Sequence, residues 1–531
     1  VFDSAEVSNS ILIVGAGPTG LTLGIELLRR GVPCRIIDKA AGPAATSRSF
    51  TLHARTLELF EMAGFADRFL ERGIRSVSMD YSFRGVAEVA RLDFTELDSR
   101  HAYILVISQN VTERILRDRF TELGGDIEWD TELQALTGGS GTPVTATVTT
   151  PNGNQKRIRA GWVVGCDGLR STVRTHLGLD FTGDDYDGVE MRMMDVPLSG
   201  KTPATDRVHY MIDQDRMVLV TKLPEDTWRI LISDPGANDN AMATRESFQT
   251  VIDDHFAGAV TLGNPEWIST FRVWRRLSAG YGHHGIYLCG DAAHIHSPAG
   301  GQGMNACIQD AVNLGWKLAL VARHGASLEL LDSYERERRP IAEQVIAGTH
   351  LLHRVIMAHG TSLTDRLAIT REPGFNTRAI RQISGLAYTY RDTIDVESEP
   401  SPVDELASGD RAPDATVTPS LRVHDLLRHP DHTLLVLQRR REPLVDHRVD
   451  TLPTHLRRRY GDRVRTAVIA TKDLTTPSPG TFTATDTTAH DLYGTATGDG
   501  LALIRPDGYI ALRCAITDEK ALTGYLDTTL T

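Results

Sequence analysis

The stretch ILIVGAGPTGLTLGIELLRRG at residues 11–31, followed by CRIID at residues 34–38, decides the fold. An apolar run from Ile11 to Val14 leads straight into Gly15, Gly17, Pro18, Thr19 and Gly20, after which apolar residues recur at helical spacing. That order is strand, tight turn, helix. Gly31 suits the end of the helix, and Cys34 to Ile37 supplies a second strand that finishes on Asp38 and Lys39. A G-x-G-x-x-G pattern alone is a weak signal, but here it joins a strand to a helix and an acid lies 18 residues beyond Gly20. In that context it predicts a dinucleotide site. The glycines let the backbone approach a pyrophosphate at the positive helix end, and the Asp38 carboxylate can accept hydrogen bonds from ribose hydroxyls. An acid there disfavours a 2′-phosphate, so the expected nucleotide is FAD or NAD rather than NADP.

From about Ser76 to Val106, and from about Gly188 to Trp274, short alternating stretches such as RVHYMID, RMVLVTKL and TWRILIS predict an antiparallel sheet inserted into the nucleotide-binding fold. Helical runs follow from about Gln302 to Arg323 and from Leu328 to His359. The text DVESEPSPVDELASGDRAPD at 395–414 is linker chemistry. Strand candidates TLLVLQ, RTAVIA, LALIRP and GYIALR then alternate with helix-like stretches, which predicts a small α/β unit with a mixed sheet. The expected architecture is α/β: residues 1–75, 107–187 and 280–395 form a Rossmann-like nucleotide-binding domain with long helices, residues 76–106 and 188–279 form a substrate-binding sheet domain, and residues 396–531 form a C-terminal domain.

The 531 residues fit about three or four units of ~150 residues each. With 57 Lys and Arg against 69 Asp and Glu, the net charge of −12 repels phosphate polymers, so nucleic acid is not an expected partner. A 41% hydrophobic content suits packed cores rather than disorder. No run of 18 apolar residues occurs, and VFDSAEVSNS at 1–10 lacks the features of a signal peptide, so a cytoplasmic chain without a membrane partner is expected. The five cysteines (Cys34, Cys166, Cys289, Cys307, Cys514) are scattered without C-x-x-C, which argues against a zinc ribbon, a redox dithiol or a disulfide framework.

Two further stretches choose between FAD and NAD. One is Cys166-Asp167-Gly168-Leu169-Arg170-Ser171; the other runs from Gly290-Asp291-Ala292-Ala293-His294 to Pro298-Ala299-Gly300-Gly301-Gln302-Gly303-Met304-Asn305. Taken with the opening motif, they make the sequence resemble the class A, single-component FAD-dependent aromatic hydroxylases, in particular the branch of polyketide hydroxylases and rifampicin monooxygenase. The resemblance covers essentially the whole chain.

What the resemblance implies is as follows. Gly15, Gly17, Pro18, Thr19, Gly20, Asp38 and Lys39 take the ADP half of FAD; Asp167 and Gly168 lie near the FAD and nicotinamide pyrophosphates; Gly290 and Asp291 meet the ribityl and pyrophosphate region. Arg48 stands beside flavin and pyridine nucleotide, Gln109 on the FAD chain, and Arg48 and Pro298 nearest the reacting centre. The loop of Gly301, Gln302, Gly303, Met304 and Asn305 opens a helix, whose N–H groups would face the flavin and favour its anionic reduced form. The implied cycle is reduction by NADPH or NADH, O2 addition at the flavin C4a, and transfer of the distal hydroperoxide oxygen to a polycyclic phenolic ring. No second dinucleotide motif is found, so hydride transfer must use a transient site. The C-terminal unit resembles a thioredoxin-like domain lacking the redox pair.

Among polar residues, His53, His209, Tyr210, Arg229 and Arg272 are candidates to face the substrate, and Met191, Met193, Met211, Met217 and Trp228 are candidate wall residues. His294 and His296 do not have convincing metal spacing without a third ligand, so no metal is expected. Baeyer–Villiger oxygenation of a polyketide, or a flavin-binding protein without turnover, are the alternatives that the motifs leave open. A monomer or a homodimer is expected, acting on a small aromatic substrate and O2.

Overall fold

The computed structural model describes residues 10–44, 48–139, 142–186, 189–213, 216–234, 243–357, 362–394, 406–439, 443–471, 481–494 and 499–531. Most of the linker predicted at 395–414 lies outside them, as do most of the N-terminal residues 1–10.

Six strands build the nucleotide-binding sheet in the order Gly282–His283, Ile286–Leu288, Trp162–Gly165, Ile11–Val14, Cys34–Ile37, Ile127–Glu128. All pairs are parallel except the short hairpin at the first edge. Ile11–Val14 lies in the middle and is buried along its whole length, which explains its continuous apolar text. The helix Pro18–Leu28 starts with proline in its first turn, where the missing N–H costs nothing, and it ends three residues before Gly31. It packs against Gly303–His324, and both helices cover the sheet.

Strand Ile286–Leu288 pairs with Trp162–Gly165 although most of a second sheet lies between them in sequence. That sheet runs Val260–Leu262, Glu190–Gly200, Thr227–Asp234, Met217–Lys222, Arg207–Ile212, Ser78–Phe83, Val89–Asp93, with Trp267–Arg272 on the first half of Glu190–Gly200. The expected antiparallel sheet needs one correction: Arg207–Ile212 and Ser78–Phe83 are parallel. They belong to separate excursions of the chain, so no hairpin constrains their direction. The stretch assigned to this sheet from Ser76 to Val106 also divides. Ile104–Val106 pairs instead with Thr51–Leu52 and Ile74–Ser76.

The second long helix spans Glu329–Met357. The C-terminal strands follow the order Thr481–Thr483, Val464–Ala470, His432–Gln438, Gly500–Ile504, Ile510–Cys514, parallel for the first three and antiparallel for the rest. Buried polar contacts dock this unit on the nucleotide-binding helices. Arg505 binds Glu337 through two N–H···O bonds of 2.8 Å, and Arg411 binds Glu58 at 2.6 and 2.9 Å.

Candidate active site

A cavity of about 620 Å³ opens between the C-terminal ends of the parallel strands and the large sheet. Such a position is where α/β sheets place their ligands. One end of it is polar and backbone-lined, the other apolar.

At the polar end lie Gly15, Gly17, Pro18, Thr19, Asp38, Lys39, Asp167 and Gly168. A Cβ on Gly15 would stand 2.3 Å from the Cys166 carbonyl, and one on Gly20 would stand 2.0 Å from that of Gly15, so these two glycines let strand, turn and helix close on each other. Gly17 differs, because a Cβ there meets nothing within 4 Å and would project into the space that a pyrophosphate would take. Asp38 holds the turn: its Oδ2 accepts the Ala16 N–H at 2.7 Å and its Oδ1 that of Ala40 at 2.8 Å. Asp167 caps the short helix Thr172–His176, accepting the Thr172 N–H on Oδ2 at 2.7 Å. Its Oδ1 is buried without a hydrogen-bond partner. An orphaned carboxylate oxygen beside an open glycine cradle is what the ADP half of a flavin dinucleotide would complete, so the residues present fit FAD.

Asp291 and Arg48 lie further along the cavity. Asp291 is open only to the cavity; loss of solvation pushes its carboxyl up, and the Cys307 thiol donates to its Oδ1 at 3.3 Å. Gly290 sits behind it against Thr19, out of the lining. Arg48 reaches over the Phe271 ring at 5.6 Å. Its neighbour Ser49 is gripped by the start of the helix Gln109–Glu122: the Gln109 carbonyl oxygen of the side chain accepts the Ser49 N–H at 3.1 Å, while the Gln109 N–H donates to the Ser49 carbonyl at 3.0 Å. Gln109 therefore lines the cavity and fixes the Arg48 segment at the same time.

The loop from Pro298 to Gly303 also borders the cavity. Pro298, Gly301, Gly303 and Met304 line the cavity. Gln302 and Asn305 do not, since their side chains turn into the protein. The Gln302 carbonyl oxygen accepts the Tyr388 hydroxyl at 3.1 Å; Asn305 accepts the His53 N–H at 2.8 Å and donates to the carbonyls of Thr51 and Gly301 at 3.0 Å each. His53 is likewise no wall residue. It is buried, its Nε2 lies 2.9 Å from the Gly300 carbonyl, and burial holds its imidazole down at about 4, neutral at physiological pH.

At the apolar end the large sheet presents Met191, Met193, Tyr210, Met217, Leu219 and Leu231, opposite Ile356 and Met357 of the long helix. Strand alternation corrects the remaining candidates. His209, Met211 and Trp228 project from the other face of the sheet: His209 Nε2 lies 2.9 Å from the Ala204 carbonyl, and Met211 and Trp228 join an apolar cluster with Val218 and Val196. Arg229 shares the inner face but is fully buried on Asp195, outside the lining. Arg272 is exposed near the end of its strand.

His296 lines the cavity, with Nδ1 2.9 Å from the Ser297 carbonyl, and burial lowers its imidazole to about 4. His294 instead meets Asp310 at 2.7 Å. Burial opposes ionisation of Asp310, but Arg338, 2.6 Å away, and His294 hold its carboxyl below the usual range. Asp310, Arg338, Phe271, Ile356 and Met357 were not legible as site residues, because their elements come together only in three dimensions. Among the described residues one group could converge on a cation, Asp213, Asp254 and His255, and Arg84 already spans its two acids.

Comparison with known proteins shows the family. Residues 8–349 match the model of an FAD binding domain and residues 406–531 that of the aromatic-ring hydroxylase C-terminal region. Pentachlorophenol 4-monooxygenase from Sphingobium chlorophenolicum is 40% identical over 98% of this chain and 96% of its own. 6-Methylpretetramide 4-monooxygenase from Streptomyces rimosus is 34% identical over 97% and 92%. Among solved structures, anhydrotetracycline hydroxylase from Streptomyces rimosus superposes with a TM-score of 0.77 at 29% identity, covering 98% of this chain and 99% of the other. The glycine cradle, the two acid motifs and the helix-opening loop thus lie in a chain that belongs to the FAD-dependent aromatic-ring hydroxylases, a family of flavoprotein monooxygenases.

Proposed function

We propose that this monooxygenase uses NADPH or NADH and O2 to hydroxylate a flat phenolic substrate, with polycyclic phenols of the polyketide type as the favoured class. The observation that carries the reading is the division of one cavity into a backbone-lined, anion-binding cradle and an apolar slot of methionine, leucine and phenylalanine. Bound FAD supplies electrons taken from the nicotinamide and the activation of O2. The protein's part is to bind, orient and exclude water. Gly17, Asp38, Lys39 and Asp167 hold the ADP half; Asp291 lies at the ribityl chain; the N–H groups at the start of Gly303–His324 bring positive charge to the flavin edge. Arg48 serves the nicotinamide, which docks transiently. Met191, Met193, Met217 and Leu231 clasp the ring, and the dry wall limits unproductive loss of activated oxygen. The 406–531 unit is a thioredoxin-like domain that acts in packing, a reading supported by its mixed sheet and by the lone, half-buried Cys514.

Anaerobic mixing of the FAD-loaded enzyme with NADPH, with and without single-ring and polycyclic phenols, tests the assignment by flavin absorbance at 450 nm or thereabouts. Bleaching accelerated by polycyclic phenols, and products that keep their carbon skeleton on subsequent aeration, are expected. Acceleration by single-ring phenols alone would replace the substrate class, since the 40% identical relative is named for such a phenol. A lactone or ester product would replace hydroxylation with Baeyer–Villiger chemistry.

A further inference from the structure

Arg229 and Asp195 stand directly opposite each other on neighbouring strands of the large sheet, on the face that carries the cavity wall. The guanidinium is fully buried and grips Asp195 with two bonds, Nε to Oδ1 at 2.8 Å and Nη2 to Oδ2 at 2.7 Å. Trp267 Nε1 donates to the same Oδ2 at 2.8 Å. The remaining arm of Arg229 leaves the sheet: Nη1 donates to the backbone carbonyls of Arg48 at 3.1 Å and Ser49 at 3.3 Å. The rings of Phe50 and Trp267 lie 5.4 Å from the guanidinium carbon.

Two residues along the same strands, the next rung on this face is Met193 opposite Leu231, and both line the apolar slot. One rung therefore touches the substrate end, and the adjacent rung, about 7 Å along the strands, holds the segment that carries Arg48. A brace alone would not need this chemistry, because a buried ion pair is often no more stabilising than an apolar pair of the same volume. What an arginine fork adds is direction: one planar group fixes a carboxylate on one side and two carbonyls on the other.

We propose that the buried Asp195–Arg229 pair is a positioning device that couples occupancy of the apolar slot to the placement of Arg48. Its consequence is that substrate binding speeds flavin reduction through this pair. The proposal rests on the reading of Arg48 and of the slot given above.

The test uses the FAD-loaded full chain of the wild type and of the Arg229→Lys, Asp195→Asn and Trp267→Phe variants. For each, the rate of flavin reduction by NADPH is measured with and without a saturating phenol, beside FAD content, phenol dissociation constant and melting temperature. Arg229→Lys keeps the charge but loses the fork; the expected loss in phenol-dependent acceleration is about tenfold, the scale of a small displacement of a reacting group, while FAD content stays within about twofold. Trp267→Phe keeps both charges and the fold, and should lose part of the acceleration, which keeps the test decisive if either ion-pair variant fails to fold. Variants that melt earlier yet keep the wild-type acceleration would show a structural brace and overturn the proposal. If no phenol accelerates the wild type, the reading of the slot itself fails, and the proposal with it.

Discussion

The side-chain oxygen of Asn305 accepts the backbone N–H of His53 at 2.8 Å, although 252 positions separate them. Asn305 also donates to Thr51 and Gly301, so one buried amide ties the helix-opening loop to the start of another helix. Asn305→Ala removes all of these bonds and leaves buried backbone groups unpaired, which should cost about 1–3 kcal/mol in stability. Because the same bonds shape the loop at Gly301, FAD affinity should fall as well. Thermal unfolding and FAD titration check this, and a variant with weaker fold but unchanged FAD affinity would detach Asn305 from the shape of the flavin site.

Gly17 and Gly20 belong to one motif but should fail differently. A methyl on Gly20 would meet the Gly15 carbonyl at 2.0 Å, so Gly20→Ala should destabilise the chain even without FAD. A methyl on Gly17 meets nothing in the protein, and Gly17→Ala should cost the apoprotein no more than about 1 kcal/mol, the scale of an N-cap change. Its FAD affinity should nonetheless drop about tenfold or more, equivalent to ~1.4 kcal/mol of lost binding. Apoprotein melting measured beside FAD binding separates the two; equal effects of both substitutions on the apoprotein would contradict the open cradle.

How far the sequence carried depended on whether a feature is local. The turn at Gly15 to Gly20, the strand ending on Asp38 and the helix starting at Gln109 are short-range patterns and stand where their text places them. Which side of a strand faces the slot was not legible, because His209, Tyr210 and Met211 are all plausible and only the register with Leu219 decides that Tyr210 points inward. Likewise, Arg229 was legible as an unusual residue in an apolar strand, but its partner Asp195 lies 34 positions away and the carbonyls it holds lie in another excursion. Gln302 and Asn305 read as flavin contacts through the backbone N–H groups of their loop; what was not legible is that their side chains shape that loop.

Stability should fall steadily on acidification. His53 is held at about 4 and His432 at about 3, chiefly by burial, whereas the unfolded chain protonates histidine near 6.5. Between about pH 6.5 and 4 the unfolded state therefore binds more protons, and each such histidine contributes a slope of up to about 1.4 kcal/mol per pH unit against the fold. Burial opposes ionisation of Glu58 and Glu337, but Arg411 and Arg505 hold their carboxyls well below the usual range, so the stability they add above about pH 4.5 is lost at lower pH. Asp291 runs the other way, since its raised carboxyl favours the folded state most in acid. Urea midpoints across pH 4 to 8 or so should show the net decline, and His432→Phe should flatten it. An unchanged slope in that variant would remove His432 from the cause.

The C-terminal unit is held by charges that its removal would strand. Glu337, on the long helix, receives Arg505 from the C-terminal unit and Lys317 from the helix Gly303–His324, both at 2.8 Å. Asp507 accepts Trp316 Nε1 at 3.2 Å, and its backbone carbonyl accepts Arg55 at 2.5 Å. Arg505→Met would leave Glu337 with the Asn313 amide and Lys317, whose ammonium burial already lowers to about 8, and would also take the guanidinium from the buried Asp507. Breaking one side of such a buried network costs about 3–5 kcal/mol, so Arg505→Met should melt well below the wild type, and deletion of residues 406–531 lower still. The paired substitution Glu337→Gln with Arg505→Met should recover part of the loss, because it restores the charge balance of the buried cluster, with Lys317 against Asp507. Calorimetry of the single and double variants reads this directly, and additive losses without recovery would show that packing, rather than the ion network, joins the two parts.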